Sequence, residues 1–279
     1  METMSPARLR TLQSAARWAR TATLVLFIMT MVAQVSQWGA VQSVLGILCL
    51  CALAVWLVLA RRYKRGFIRA IVEHSAGRVV RQPVYAPLEK EDGVPGKLGF
   101  APERVPFAPG LRLHHTVRGA LRGLPFMMAE TAFVRMKDGR PGNSVAGTLI
   151  SVEGALPSAE AWLLERGGAM DAVCAEDDRA GGGYQSVPVA LPEGIVCAAK
   201  GEIGEERLLA CASWLAALEP AKAPAALAVK DGRLSLLLCG SFYVPDRVDT
   251  SRAFQESMLD SCELKPAEAF DRLIGEIAG

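Results

Sequence analysis

The histidine pair His114-His115 is the most suggestive chemical feature of the sequence, because imidazoles bind metal ions and act as bases. Adjacent residues of a strand point to opposite faces of a sheet, so we do not expect both rings to bind one metal ion. Cys239 stands at a predicted strand end, where a thiolate would need a base such as His114 or His115 to act as a nucleophile. An apolar strand end favours a buried thiol instead. We therefore predict no catalytic and no metal-binding residues.

Two other features offer less chemistry. Glu130 belongs to a predicted strand, and we expect its carboxylate on the solvent face. The glycines Gly181 to Gly183 could bind a phosphate if a helix followed, but a proline-containing segment follows, so a loop is predicted. The chain has no HExxH, GxSxG, Walker or GxGxxG motif. No cofactor is predicted, and an enzyme, either a hydrolase or a transferase of unfamiliar type, stays open as the alternative.

A long charge-free segment sets the organisation of the chain. Between Arg20 and Arg61 there is no Asp, Glu, Lys, Arg or His. As one helix this segment would be about 60 Å long, roughly twice the hydrocarbon core of a membrane. Two spans joined by a turn fit better. The turn is predicted between Gln34 and Ser43, where polar residues and glycine collect and Trp38 can lie at an interface.

Basic residues flank both spans, whereas the predicted turn has none. The first span is preceded by four arginines, Arg8, Arg10, Arg17 and Arg20. The second span ends at the four cations that we predict to lie at the membrane interface, Arg61, Arg62, Lys64 and Arg65. By the positive-inside rule, both termini are expected in the cytoplasm. These four cations should meet anionic headgroups and, with Arg69, hold the following domain close to the membrane.

A cleaved signal peptide is the alternative interpretation of the first span, because a basic segment followed by an apolar core is typical of one. The leading segment is long, however, and Ser36–Ala40 makes a poor cleavage site. The second span would then stop translocation. The C-terminal part is expected in the cytoplasm under either interpretation.

The seven cysteines favour a reducing compartment. Cys49 and Cys51 lie inside the second span, and the other five are spread through the polar part without a CxxC pair. We expect reduced and mostly buried thiols, with Cys211 on the buried face of a helix. Palmitoylation of Cys49 and Cys51 is disfavoured because both lie well before the cytoplasmic edge.

The polar remainder shows both helix and strand signals. The second span is predicted to continue as a helix to Gly77, and the proline-containing residues 78–88 suit an edge strand. Residues 111–154 read as several antiparallel strands. The later segments are a short helix over Pro157–Gly168, a strand over Gly194–Glu202, a helix over Glu205–Glu219, a hairpin around Asp231-Gly232 and a closing helix from Lys265.

These signals predict an α+β protein with an N-terminal transmembrane hairpin. Residues 1–20 form a cytoplasmic N-terminal segment, and residues 21–60 form the two-helix hairpin. Residues 61–279 form a cytoplasmic domain, a mostly antiparallel sheet with packed helices. Within this domain, about 61–155 and 190–279 are predicted as two subunits of structure.

The order of segments in the polar part resembles the bacterial membrane proteins grouped as the domain of unknown function 3137 family. The resemblance runs from about Tyr63 to about Tyr243. It depends on five segments, YKRGFIRAIV, GALRGLPFMMAETAF, GTLISVE, EERLLACASWLAAL and LAVKDGRLSLLL. It implies two N-terminal spans before a cytoplasmic α+β domain, and it places family positions at Gly123, Phe126, Glu130 and Gly147.

The sequence departs from that family at two places, HHT before the glycine strand and VCAAKGE before the central helix, where relatives tend to carry acidic residues. The resemblance implies no activity. We expect an inner-membrane-anchored cytoplasmic interaction or scaffold module. Its predicted partners are the lipid bilayer and an unidentified protein. Nucleic acid is not predicted, because the net charge is only +2 and the positive charge collects beside the spans.

Overall fold

The computed structural model describes residues 5–90, 112–137, 140–167, 185–187, 189–200, 203–219, 223–240, 255–261 and 264–277. The chain is α+β, as predicted, and forms two compact units. The first unit is Met1–His74 with Pro245–Ser261. The second unit is Ser75–Val244 with Cys262–Gly279.

Helix α1 (Pro6–Val35) opens the first unit. Proline stands in its first turn, and the side chain of Ser5 accepts a hydrogen bond from a backbone N–H there, as at many helix N-termini. A short 3₁₀ helix (Glu256–Ser261) belongs to the same unit. An exposed ion pair of 2.9 Å joins Arg10 to Glu256.

Helix α2 (Gly39–Ala76) follows α1 after three residues and runs without interruption for 38 residues. The predicted turn between Gln34 and Ser43 is therefore confirmed. So is the predicted helix end at Gly77, the first residue beyond α2. Both helices are long and apolar enough to cross a membrane by length and composition.

One antiparallel sheet forms the centre of the second unit, with nine strands among the described residues. Its order is β1-β2-β3-β4-β9-β8-β5-β7-β6. The predicted edge strand is confirmed as β1, and pairing of β4 with β9 joins strands from both predicted subunits in one sheet. The strands are β1 (Arg81–Lys90), β2 (Arg112–Leu121), β3 (Leu124–Lys137), β4 (Arg140–Glu153), β5 (Ala161–Arg166), β6 (Gln185–Ser186), β7 (Ile195–Lys200), β8 (Ala225–Lys230) and β9 (Arg233–Cys239).

Two amphipathic helices of the second unit, α3 (Glu205–Ala217) and α4 (Lys265–Ile277), pack on each other. The indole of Trp214 meets the ring of Phe270 edge-on, with centroids 6.2 Å apart, and its Nε1–H donates to the Ala269 carbonyl at 3.2 Å. Cys211 is fully buried. The predicted helices and the predicted core position of Cys211 are confirmed.

Arg166 joins the end of β5 to the C-terminal end of α3. Its Nη1 donates to the carbonyls of Leu215 and Leu218, each at 2.7 Å, and its Nη2 donates to the Ala223 carbonyl at 2.9 Å. A cation is favourable at this end of a helix, where carbonyls lack helical partners. Burial lowers the pKa of the guanidinium. The guanidinium therefore donates to three backbone carbonyls, of which that of Leu215 also accepts from the Leu218 N–H at 3.4 Å.

The hairpin predicted around Asp231-Gly232 is confirmed. Asp231 and Gly232 both have positive φ, 53° and 75°, as a two-residue turn between twisted strands requires. A Cβ at Gly232 would lie 3.0 Å from the Leu156 carbonyl oxygen, so glycine also avoids a clash there. Lys230 pairs with Arg233 across the turn.

The predicted short helix over Pro157–Gly168 is wrong. Ala161–Arg166 is strand β5, which lies between β7 and β8 inside the sheet. Every residue from Trp162 to Arg166 is buried, so both faces of this strand are covered. A strand that is buried on both faces loses the polar alternation that distinguishes it from a helix.

Candidate membrane interface

The charge-free parts of α1 and α2 keep large apolar side chains exposed. Phe27, Ile47 and Leu50 expose 54%, 62% and 67% of their surface. The other exposed large apolar residues of the two segments are Leu24, Val25, Ile28, Met29, Met31, Val32, Val35, Val41, Val44, Leu48, Val55, Leu57 and Val58. Soluble proteins rarely expose apolar patches beyond a few hundred Å², and a core helix would bury such residues. The two segments match the lipid-facing surface of a membrane span.

Small residues lie where α1 and α2 approach each other. Ala33 is 1% exposed, and the Cys49 thiol lies 3.8 Å from the Thr23 carbonyl of the other helix. The Cys49 thiol therefore contacts the backbone of α1 within the hairpin.

The hydroxyl groups within the two segments are satisfied by their own helices. The side chains of Thr21, Thr23, Thr30 and Ser43 each donate to the carbonyl four residues earlier, at 2.7 to 3.1 Å. Polar groups in hydrocarbon need internal partners, and this back-bonding supplies them. These hydroxyls need no other helix as a partner.

Exposed tryptophan side chains lie just beyond the two ends of the charge-free part of α1. Trp18 and Trp38 are 73% and 59% exposed. The helix runs about 26 Å from Trp18 to its end at Val35, and the turn to Trp38 adds a few ångströms, so the two indoles are spaced like the two interfaces of a bilayer. From the sequence, an interface position was predicted for Trp38 alone. The position of Trp18 between Arg17 and Arg20 was the signal for the second one.

The four predicted interface cations lie together on α2, just past the apolar segment. All four are exposed, whereas Tyr63 and Phe67, which share the opposite side of the helix, are buried. Arg17 and Arg20 of α1 are exposed as well. We call the end of the charge-free segments away from the turn the border. Its exposed cations are Arg17, Arg20, Arg61, Arg62, Lys64 and Arg65.

Arg69 differs from the other basic residues of α2. Its Nε lies 2.8 Å from Oε1 of Glu73, one turn further on, and both side chains are largely buried. The pair neutralises Arg69 within the helix. Arg69 is therefore not one of the exposed cations at the end of the apolar segment.

The structure does not bring Cys239 and the histidines of β2 together. Cys239 pairs with Gly147 of β4, Gly147 pairs with Thr131 of β3, and Thr131 pairs with Leu113 of β2. Three strand spacings of about 4.8 Å separate Cys239 from that strand, or roughly 14 Å. Burial, with a smaller effect from Glu165, raises the pKa of Cys239, which is the opposite of thiol activation.

One histidine of the pair, His115, has a local structural role. The Nδ1 atom of His115 lies 2.6 Å from the Tyr85 hydroxyl, and the two rings stack. His115 has a φ of 50° beside a bulge, so the strand alternation assumed for the pair does not apply there. His114 is exposed and Glu130 is half-buried. The predicted loop glycines Gly181 to Gly183 lie outside the described residues.

The thiols in the core are protonated at neutral pH and therefore poor nucleophiles. Burial raises the pKa of Cys197 and of Cys211 to about 12. Across the described ranges, no group of three or more His, Cys, Asp or Glu residues is placed to hold a metal ion. The site with the clearest physical character is thus the hairpin and its basic border.

Comparison with protein-family models, curated proteins and solved structures finds no match to this chain. Membership of the domain of unknown function 3137 family therefore stays a prediction from the sequence. The site is defined by its own geometry, an exposed apolar hairpin with a tryptophan at each end and exposed cations at one end.

Proposed function

We propose that the chain is a membrane-anchored interaction or scaffold module. The α1–α2 hairpin spans the bilayer, and the second unit is the interacting part. The observation that supports this most is the exposure of apolar side chains around both charge-free segments, ending at exposed cations on one side only. No Asp, Glu, Lys, Arg or His lies within the spans, so they resemble an anchor more than an ion pathway.

The proposed location is a bacterial inner membrane with both termini in the cytoplasm. The orientation follows from the basic flanks and the uncharged turn by the positive-inside rule. The bacterial assignment depends on the resemblance to the domain of unknown function 3137 family. The lipid bilayer and an unidentified protein are the proposed partners.

The second unit offers a concave surface for a protein partner. A cleft of about 860 Å³ lies between the C-terminal end of α3 and helix α4. Its lining combines the apolar side chains of Trp214, Leu218 and Pro266 with charged groups of both signs. Apolar floors with a charged rim are typical of protein-binding surfaces. This mixture suits a polar protein partner better than a small apolar ligand.

A topology assay tests the proposed orientation. An enzyme that is active only outside the cytoplasm is inserted after Trp38 in one fusion and joined after Gly279 in another. We expect activity from the first fusion and none from the second, because the turn lies outside the cytoplasm and the C-terminus lies inside it. Equal amounts of both fusions on a blot provide the control. Activity after Gly279 with silence at Trp38 would refute the proposed orientation.

A further inference from the structure

The border has a charge excess that the hairpin does not compensate. Residues 3–72 contain nine Arg and Lys and not one Asp or Glu. Two ion pairs of this unit, Arg10 with Glu256 and Arg69 with Glu73, do not involve the five arginines of the border. No carboxylate in the described part pairs with Arg17, Arg20, Arg61, Arg62 or Arg65. A lipid phosphate is a candidate counter-charge for all five.

These five arginines form two groups on neighbouring helices. Arg17 and Arg20 are three residues apart on α1, and Arg61 and Arg65 are four apart on α2, so the members of each pair are neighbours on a helix face. Both groups lie at the end of the hairpin away from the turn, because α1 runs from Arg17 and Arg20 toward the turn and α2 runs from the turn toward Arg61 and Arg65. We call the five residues the arginine collar.

The collar stands where a headgroup phosphate would be. It follows the charge-free segments directly, and Trp18 is exposed between two of its members. Guanidinium groups donate two parallel hydrogen bonds to phosphate oxygens and hold them better than ammonium groups do. Acyl chains could then lie along the exposed apolar faces between the collar and the turn.

We infer that the arginine collar selects anionic phospholipids, binding their headgroup phosphates in preference to those of zwitterionic lipids. The inference rests on the proposed membrane position of the hairpin. A zwitterionic headgroup brings its own cation beside the phosphate, and that cation is repelled by five arginines. An anionic headgroup has no such cation, so the collar distinguishes the two by charge as well as by position.

Lipid retention tests the inference on the full chain. The protein is reconstituted in nanodiscs with equal phosphatidylglycerol and phosphatidylcholine, extracted in mild neutral detergent, and the retained lipids are quantified by mass spectrometry. We expect phosphatidylglycerol to exceed phosphatidylcholine by about fivefold or more, the preference that one cation near a membrane surface provides. A variant with all five collar arginines changed to Gln should retain both lipids equally.

A matched variant removes the same charge elsewhere. It replaces by Gln five exposed cations of the second unit, Arg78, Arg81, Arg118, Lys200 and Arg272. This variant should keep the lipid preference of the unchanged chain, and circular dichroism should show equal helix content in all three proteins. Inorganic phosphate added to the nanodiscs should not displace the phosphatidylglycerol.

Other outcomes would contradict either the lipid preference of the collar or the membrane anchor itself. If the unchanged chain enters nanodiscs but retains the two lipids equally, the collar inference is wrong and the anchor stands. If the chain does not enter nanodiscs at all, the proposed function itself fails. A preference lost equally in the matched variant would mean that net charge, not the collar, selects the lipid. Displacement by inorganic phosphate would mean that the collar binds free phosphate rather than a lipid.

Discussion

A chain with Arg61, Arg62, Lys64 and Arg65 all changed to Gln will reach the membrane in smaller amounts, and part of it will insert in the inverted orientation. The four cations are exposed at the end of the apolar part of α2. Each contributes about 1 kcal/mol near an anionic leaflet, so about 4 kcal/mol is lost in all. Arg17 and Arg20 remain on α1 and keep some molecules correctly inserted. The measurement is the activity of the two reporter fusions in this background.

The control for this variant keeps the charge and changes the side chain. Arg61, Arg62 and Arg65 become Lys, and Lys64 is unchanged. This protein should insert in normal amount and orientation, because the positive-inside rule counts charge and does not distinguish Lys from Arg. If the Gln variant also behaves normally, the border is incidental to insertion.

Replacement of Arg166 by Met will cost about 3 kcal/mol of the free energy of unfolding. Methionine fills much of the same space, but it leaves the carbonyls of Leu215, Leu218 and Ala223 without their guanidinium donor. A buried acceptor without a partner costs about 1–3 kcal/mol, and domains of this kind are stable by only about 5–15 kcal/mol. The urea midpoint of the full chain in detergent, followed by tryptophan fluorescence, measures the loss.

The matched variant is Arg233→Met. Arg233 pairs with Glu153 across two strands, and the carboxylate is half exposed. A partly solvated ion pair of this kind contributes under about 1 kcal/mol, so the midpoint should move little. Equal losses in the two variants would show that Arg166 has no special role at the end of α3.

The features that sequence reasoning predicted correctly have strong local signals. Asp231-Gly232 stands between two apolar runs and needs positive φ at both residues, which few other dipeptides allow. The break between α1 and α2 follows from the length of a bilayer span and from a cluster of polar residues. Gly77 is the first residue beyond α2, although it does not adopt the positive φ that is typical of a C-terminal glycine.

The features that escaped prediction depend on tertiary structure. Strand β5 has no alternation because both of its faces are buried, so only the sheet reveals that Trp162 to Arg166 is extended. Arg166 was taken as part of a short helix, and its three carbonyl partners lie 49 or more residues away in sequence. The pair of Arg69 with Glu73 is a different case, because two residues four apart on a predicted helix are neighbours that the sequence already indicates.

The central claim is that the exposed apolar surface of the hairpin faces lipid, and a pair of charged substitutions tests it most directly. Phe27 and Ile47 lie near the middle of the two segments and are more than half exposed. In water, replacing such residues by Arg would change stability by less than about 0.5 kcal/mol. In the middle of a span each Arg costs about 3 kcal/mol.

The measurement is the fraction of full-length chain that stays with membranes after an alkaline carbonate wash. We expect the unchanged chain to stay, and we expect a control with Phe27→Leu and Ile47→Leu to stay equally. The double variant Phe27→Arg and Ile47→Arg should be largely lost from the washed membranes. Release of the unchanged chain by the wash, or full retention of the double Arg variant, would contradict the membrane anchor.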